Sequence, residues 1–202
     1  ATICAGGSTT LNASGGTTYT WSPATGLSAT AGPSVTANPT TTTTYTINAS
    51  SGACTGTTTA VVTVNPLPTA SITAGSATTF CSGSNVVLTA SAASSYLWSN
   101  SATTQSITVT TSGSYSVTVT DANNCSATST ATTVTVNSLP SPTITFTETS
   151  GITNNDGVIC NGTSVTLTAN PTSGMTYSWA APITATGNNK VVSPSSTTSY
   201  GV

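Results

Sequence analysis

Residues 81–120 read CSGSNVVLTASAASSYLWSNSATTQSITVTTSGSYSVTVT, and the close of that stretch decides the fold. In SYSVTVT (114–120) apolar and polar residues alternate with period two, the mark of a strand buried on one face. TTVTVN (132–137) repeats the pattern. Within the stretch Cys81 stands seven residues before Leu88, a Tyr96-x-Trp98 triplet follows, and Tyr115 opens another strand. The arrangement occurs twice more. CAGGSTTLNAS (4–14) and CNGTSVTLTAN (160–170) set Cys4 and Cys160 seven residues ahead of Leu11 and Leu167. Tyr19 and Trp21, then Tyr177 and Trp179, supply the triplets, and Tyr45 and Tyr200 the third aromatic. The cysteines recur after 77 residues (4 to 81) and then 79 (81 to 160), a fixed period that marks tandem domains.

These nine residues are all the Trp and Tyr of the chain, and both Phe (Phe80, Phe146) also fall in strand patterns, so the sequence predicts a structural place for every aromatic. Leu11, Trp21, Tyr45, Leu88, Trp98, Tyr115, Leu167, Trp179 and Tyr200 are the expected core. The final strands run into Pro-containing linkers, VTVNPLPTASI (62–72) and VTVNSLPSPTI (134–144), with Pro66, Pro68, Pro140 and Pro142 as semi-rigid spacers. The domains are therefore expected at 1–65, 66–137 and 138–202. Repeat one lacks the leading strand seen as TASITA and PTITFTE, and repeat three stops inside its sixth strand. A window cut from a longer repetitive polypeptide and a discrete subunit with unpaired sheet edges both fit that frame.

Composition removes most chemistry. The 202 residues hold one Lys or Arg (Lys190), three acids (Asp121, Glu148, Asp156) and no His. General acid–base work, nucleophile activation and most metal sites need those side chains, so the sequence predicts no enzyme, no metal and no cofactor. Charged residues make up 2% of the chain, and hydroxyls serve as its solvated surface. At 36% hydrophobic it can nonetheless bury a core, and its Thr and Val favour strands over helices. A net charge of −2 gives no basic patch for nucleic acid, and no apolar run is long enough to span a membrane. ATICAGG at the start has no signal-peptide pattern.

The phrases YLWSNSATTQSITVTTSGSYSVTVTDANNCSA (96–127) and FCSGSNVVLTA (80–90) resemble the immunoglobulin-like and PKD-like repeats of large secreted Bacteroidota surface proteins, including gliding-type adhesins. The resemblance covers essentially the whole chain. The Trp-Asp-Phe-Gly-Asp-Gly stretch of PKD modules is absent after Trp98, where SNSATT (99–104) stands, so the immunoglobulin-like side fits better. The resemblance implies an all-β protein of three tandem immunoglobulin-like β-sandwich domains in an elongated rod. It also implies a secreted, extracellular cell-surface location, type IX export and a C-terminal sorting domain, to which no residue here corresponds. In antibody domains a strand-B Cys pairs with a strand-F Cys against a strand-C Trp. Here the B place falls on Leu11, Leu88 or Leu167 and the F place on Ile47, Val117 or Val202, so an apolar pair is expected instead.

The five cysteines sit before strand B (Cys4, Cys81, Cys160) and after strand F (Cys54, Cys125). Pairing within a repeat joins Cys4 to Cys54 and Cys81 to Cys125, closing spans of 50 (54 − 4) and 44 (125 − 81) residues and leaving Cys160 for a partner beyond Val202. The alternative joins neighbours, Cys54 to Cys81 and Cys125 to Cys160. The A–B and F–G turns of an immunoglobulin fold lie at opposite ends, a tension the first scheme carries. Disulfides imply an oxidising compartment, and the absence of Cys-x-x-Cys and His argues against a metal.

The remaining motifs have plain readings. NNDG (154–157) and DANN (121–124) are turn chemistry before they are Ca²⁺ ligands. An isopeptide bond from Lys190 to an Asn or Asp, assisted by Glu148, is open only to repeat three. Sequons stand at Asn12, Asn48, Asn124 and Asn161, and hydroxyl density invites O-glycosylation. Three functions remain. One is a semi-rigid stalk or adhesin segment that touches neighbouring repeats, surface glycans or other cells. The others are a filament or sheath subunit assembled by strand complementation between copies, and a carbohydrate-binding module of a secreted enzyme.

Overall fold

The computed structural model describes residues 1–148, 155 and 157–202. It is all-β and divides into two compact units, Ala1–Ser138 and Leu139–Val202. The first unit contains two separate cores and the second contains one.

The first core lies between a four-stranded and a two-stranded sheet. The strands are β1 (Thr2–Cys4), β2 (Thr9–Asn12), β3 (Thr18–Ser22), β4 (Ser34–Ala37), β5 (Thr43–Ser51) and β6 (Cys54–Asn65). Their orders are β1-β6-β5-β3 and β2-β4, with β1 parallel to β6 and the other pairs antiparallel. The second core is built from β7 (Ile72–Ala74), β8 (Thr79–Cys81), β9 (Val86–Ala90), β10 (Ser95–Trp98), β11 (Ser106–Val109), β12 (Gly113–Tyr115), β13 (Val117–Thr120), β14 (Ser126–Thr128) and β15 (Thr132–Asn137). One layer is β7-β9-β11. The other has two halves, β10-β13-β14 and β12-β15-β8, because β12 passes into β13 across Ser116 alone.

In immunoglobulin letters β7, β9 and β11 are A, B and E, while β8, β14–β15, β12–β13 and β10 are A′, G, F and C. A layer A-B-E against A′-G-F-C is an immunoglobulin-like sandwich without strand D. The first sandwich has the same plan, except that β2 pairs with β4 alone. In the second unit β16 (Thr143–Thr147), β17 (Val165–Asn170) and β18 (Asn189–Val192) form the A-B-E layer. The C–F contact is there a hydrogen bond from the Ala180 N–H to Gly201 O, 3.0 Å.

Period-two burial builds each core. In β9 Val86, Leu88 and Ala90 point inward, and in β17 Val165, Leu167 and Ala169 do. Leu11, Leu88 and Leu167 are buried on strand B, and Trp21, Trp98 and Trp179 on the C segment. Tyr45 and Tyr115 are buried, and Tyr200 is partly buried against the third core. Leu11 and Ile47 are buried in the first core, and Leu88 and Val117 in the second, so apolar residues hold the B and F places of the antibody inter-sheet disulfide.

Each indole N–H donates to a backbone carbonyl beyond its own strand: Gly32 O at 2.9 Å, Thr104 O at 2.8 Å and Gly187 O at 2.7 Å. The triplet tyrosines donate to Gly16, Ala93 and Pro171 carbonyls. A buried Trp or Tyr thus anchors the loop that would otherwise leave its polar atom unpaired.

Two side chains depart from the expected core pattern. Phe146, on β16, remains 37% exposed rather than closing into the core. Lys190 stands opposite Leu167, the place that Val35 holds opposite Leu11 and Ile107 opposite Leu88. Opposite residues of an antiparallel pair share a face, so a lysine stem enters the inner face of the third sandwich.

Candidate functional site

The feature that sets this chain apart from three independent beads is the joint between the first and second sandwiches. The same turn follows Cys4, Cys81 and Cys160, closing strand A′ in the first two repeats. The Cys4 carbonyl accepts from the Gly7 N–H at 2.8 Å, Cys81 O from Ser84 N–H at 3.1 Å, and Cys160 O from Thr163 N–H at 3.1 Å. The third residue of each turn, Gly6, Gly83 or Gly162, has φ of 83°, 96° or 87°. That is a type II turn, whose third residue must be left-handed and is therefore glycine. The turn sits where strand G ends: Cys4 pairs with Asn65 and Cys81 with Asn137.

Cys125 is held at the other end of its sandwich. The Asp121 carboxylate accepts from the Asn123 and Cys125 N–H groups at 2.8 and 2.9 Å, and Asn124 turns the chain with φ 62°. This is the turn expected of DANN. Asn154 and Asp156 of the other proposed turn lie outside the described residues.

The structure bonds Cys4 to Cys125, with Cα atoms 5.5 Å apart at a sequence separation of 121. Cys54, Cys81 and Cys160 are free and exposed. Both expected schemes are corrected: Cys4 does not pair with Cys54, nor Cys81 with Cys125, and neither Cys54–Cys81 nor Cys125–Cys160 forms. Cys54 begins β6 and Cys4 lies beside Asn65 at its end, so eleven strand residues hold them about 36 Å apart, far beyond the ~7 Å Cα limit of a disulfide. Strand G separates Cys81 from Cys125 in the same way. The end of one sandwich that carries the A′ turn instead meets the end of the next that carries the F–G turn. Cys125 is fully buried there.

Clefts open elsewhere among the described residues. One of about 640 Å³ in the first sandwich is lined by Leu11, Ala13, Tyr19, Trp21 and the first half of β6, with Cys54 on its rim. Another of about 490 Å³ in the third is lined by Phe146, Val165, Leu167 and Tyr200, and a shallower one of about 380 Å³ lies beside Met175 and Tyr177. None gathers catalytic side chains. Among the described residues no three of His, Cys, Asp and Glu converge as a metal group, and no helix is long and apolar enough to cross a membrane. Asn12, Asn48, Asn124 and Asn161 are all exposed. Glu148 is buried, and its Oε1 accepts from the Gly157 N–H at 3.1 Å.

No family model matches the sequence, and no curated protein does. Among solved structures the chain is similar to an I-band fragment of titin, at 14% identity over 84% of this chain and 89% of that one, with a TM-score of 0.39. It is similar also to the titin domains z1z2 in complex with telethonin (18%, 69% and 93%, TM-score 0.29) and to murine CEACAM1b (13%, 67% and 95%, TM-score 0.31). These TM-scores are below 0.5, and no step of the functional reading rests on the likeness.

Proposed function

We propose that this chain is a structural segment of a secreted cell-surface protein, in which tandem immunoglobulin-like domains form a semi-rigid stalk. The observation that carries the reading is the Cys4–Cys125 bond across the first joint. A linker with Pro66 and Pro68 already limits bending, and a second covalent tie at the same joint removes most of what remains. A disulfide also supports an oxidising compartment. On this reading each domain adds roughly 25 to 35 Å, and three domains project about 100 Å. The chain's partners on this reading are neighbouring repeats, surface glycans or other cells, and it carries out no catalysis.

Small-angle scattering of the purified chain tests this. The expected maximum dimension is about 100 Å under oxidising conditions. A folded-back particle of roughly 60 Å would refute the stalk.

One observation favours a second reading, a filament assembled by strand complementation. In the second sandwich β7 lies beside β9, with Ala74 opposite Leu88 and Ile72 opposite Ala90. The matching edge of β2, at Leu11 and Ala13, faces the 640 Å³ cleft. An extended segment of the β7 type fits that slot by strand addition. A synthetic peptide of sequence 70–75 should saturate the protein in a Trp21 fluorescence titration, and silence at millimolar peptide would remove this reading.

A further inference from the structure

We infer that the Cys4–Cys125 bond is a redox-gated load bypass: tension drawn along the chain crosses from the first sandwich to the second through the two sulfurs, and residues 5–124 carry none of it until the bond is reduced. The bond holds the two Cα atoms 5.5 Å apart at a sequence separation of 121. Straightened, that length of chain reaches roughly 400 Å, so the bridge is much the shorter path and is taut while the loop it closes is slack.

What stays in the load path is already extended. On one side Cys4 ends β1, which is laid along Thr63, Val64 and Asn65. On the other, Cys125 opens strand G, where β14 and β15 lead to Asn137. A strand pulled along its own axis gains almost no length. Strand G is also held from the side, with β14 paired to β13, β15 lying between β12 and β8, and Val134 buried. Strands β2 to β13, with the cores around Trp21 and Trp98, all belong to the slack loop. Forced unfolding is set by how fast load-bearing contacts give way, and theirs bear no load while the bond is intact.

A dithiol reductant opens the bypass. Cys4 is partly exposed and Cys125 fully buried, so a thiolate reaches the Cys4 sulfur first. Its attack forms a mixed disulfide and frees Cys125 as a thiolate. The second sulfur of the dithiol then closes a ring disulfide and releases Cys4. The dithiol gives up two electrons to the protein bond, and its two protons end on the two cysteines. Residues 5–124 then stand in the load path.

The bypass follows from where the bond sits between residues 4 and 125, is the same in any longer chain that contains them, and holds whether or not the protein is a stalk. Single-molecule pulling on the full chain, held at both ends with its free thiols alkylated, tests it. In the oxidised chain the one large release is that of Leu139–Val202, about 220 Å. Adding dithiothreitol, or replacing Cys4→Ser together with Cys125→Ser, should add about 400 Å. Leu88→Ala distinguishes a bypass from a bond that only stabilises the fold. It should lower the force at which the reduced chain lengthens and leave the oxidised trace unchanged. Equal final lengths with the bond intact and broken, at the force that straightens the reduced chain, would overturn the inference. So would a Leu88→Ala shift in the oxidised chain.

Discussion

Replacing Cys4 and Cys125 together by serine removes the tie across the first joint and leaves every strand in place. The bond closes a 121-residue loop, so chain entropy gives about 16 cal/mol/K, or about 4.9 kcal/mol at 25 °C, for unfolding of the whole first unit. If the first sandwich opens while the second stays folded, the loop that must be freed is on the order of 65 residues and the loss is still about 4 kcal/mol. For a unit of this size that corresponds to a fall in Tm of roughly 10–15 °C. The coupling should also break. The first and second cores each carry one tryptophan, Trp21 and Trp98, so single-tryptophan versions report each sandwich separately. In the oxidised parent the two reporters should share one midpoint in urea, and in the double variant they should diverge. Coincident midpoints in the variant, with a Tm within about 3 °C of the parent, would refute the claim that the bond couples the domains.

Leu88→Ala empties a fully buried position beside Trp98 and should cost about 2–5 kcal/mol, seen as an early Trp98 transition with the Trp179 signal unmoved. Lys190→Ile restores the residue type of Ile107 and should stabilise the third core by about 1 kcal/mol, read as a higher urea midpoint. Stability should be nearly flat from pH 5 to 8, because the chain has no His and only 2% charged residues. Burial lifts the Tyr45 phenol above its usual 10.0, with the Thr43 hydroxyl opposing the shift. The folded state therefore keeps a proton that the unfolded chain releases. That contribution is whole below about pH 10 and is lost as pH rises, at up to about 1.4 kcal/mol per pH unit. Tyr45→Phe should make the alkaline decline shallower in circular dichroism, and an unchanged slope would count against it.

The periodic features were legible because they are local. Cys-to-Leu spacing, the Tyr-x-Trp triplets and alternating Val and Thr each report one strand, and the buried Leu88, Trp98 and Val117 follow directly. The connectivity of the cysteines was not, because it depends on which ends of the sandwiches meet. Its signal was nevertheless present. Cys54 and Asn65 bracket a strand too long for its two ends to approach, and Cys4 pairs with Asn65 at the far end. The exposure of Phe146 and the inward place of Lys190 depend on register in the third sheet, which alternation alone does not determine. The carbonyl partners of the three indoles lie on loops of different lengths, and no spacing rule marks them.

The central claim is that the covalent tie runs between sandwiches and not within one. Proteolysis of the unreduced protein after alkylation, with the bridged peptides sequenced by mass spectrometry, tests it most directly. A Cys4 peptide joined to a Cys125 peptide is expected in each chain. A Cys4–Cys54 or Cys81–Cys125 bridge as the dominant species would contradict it.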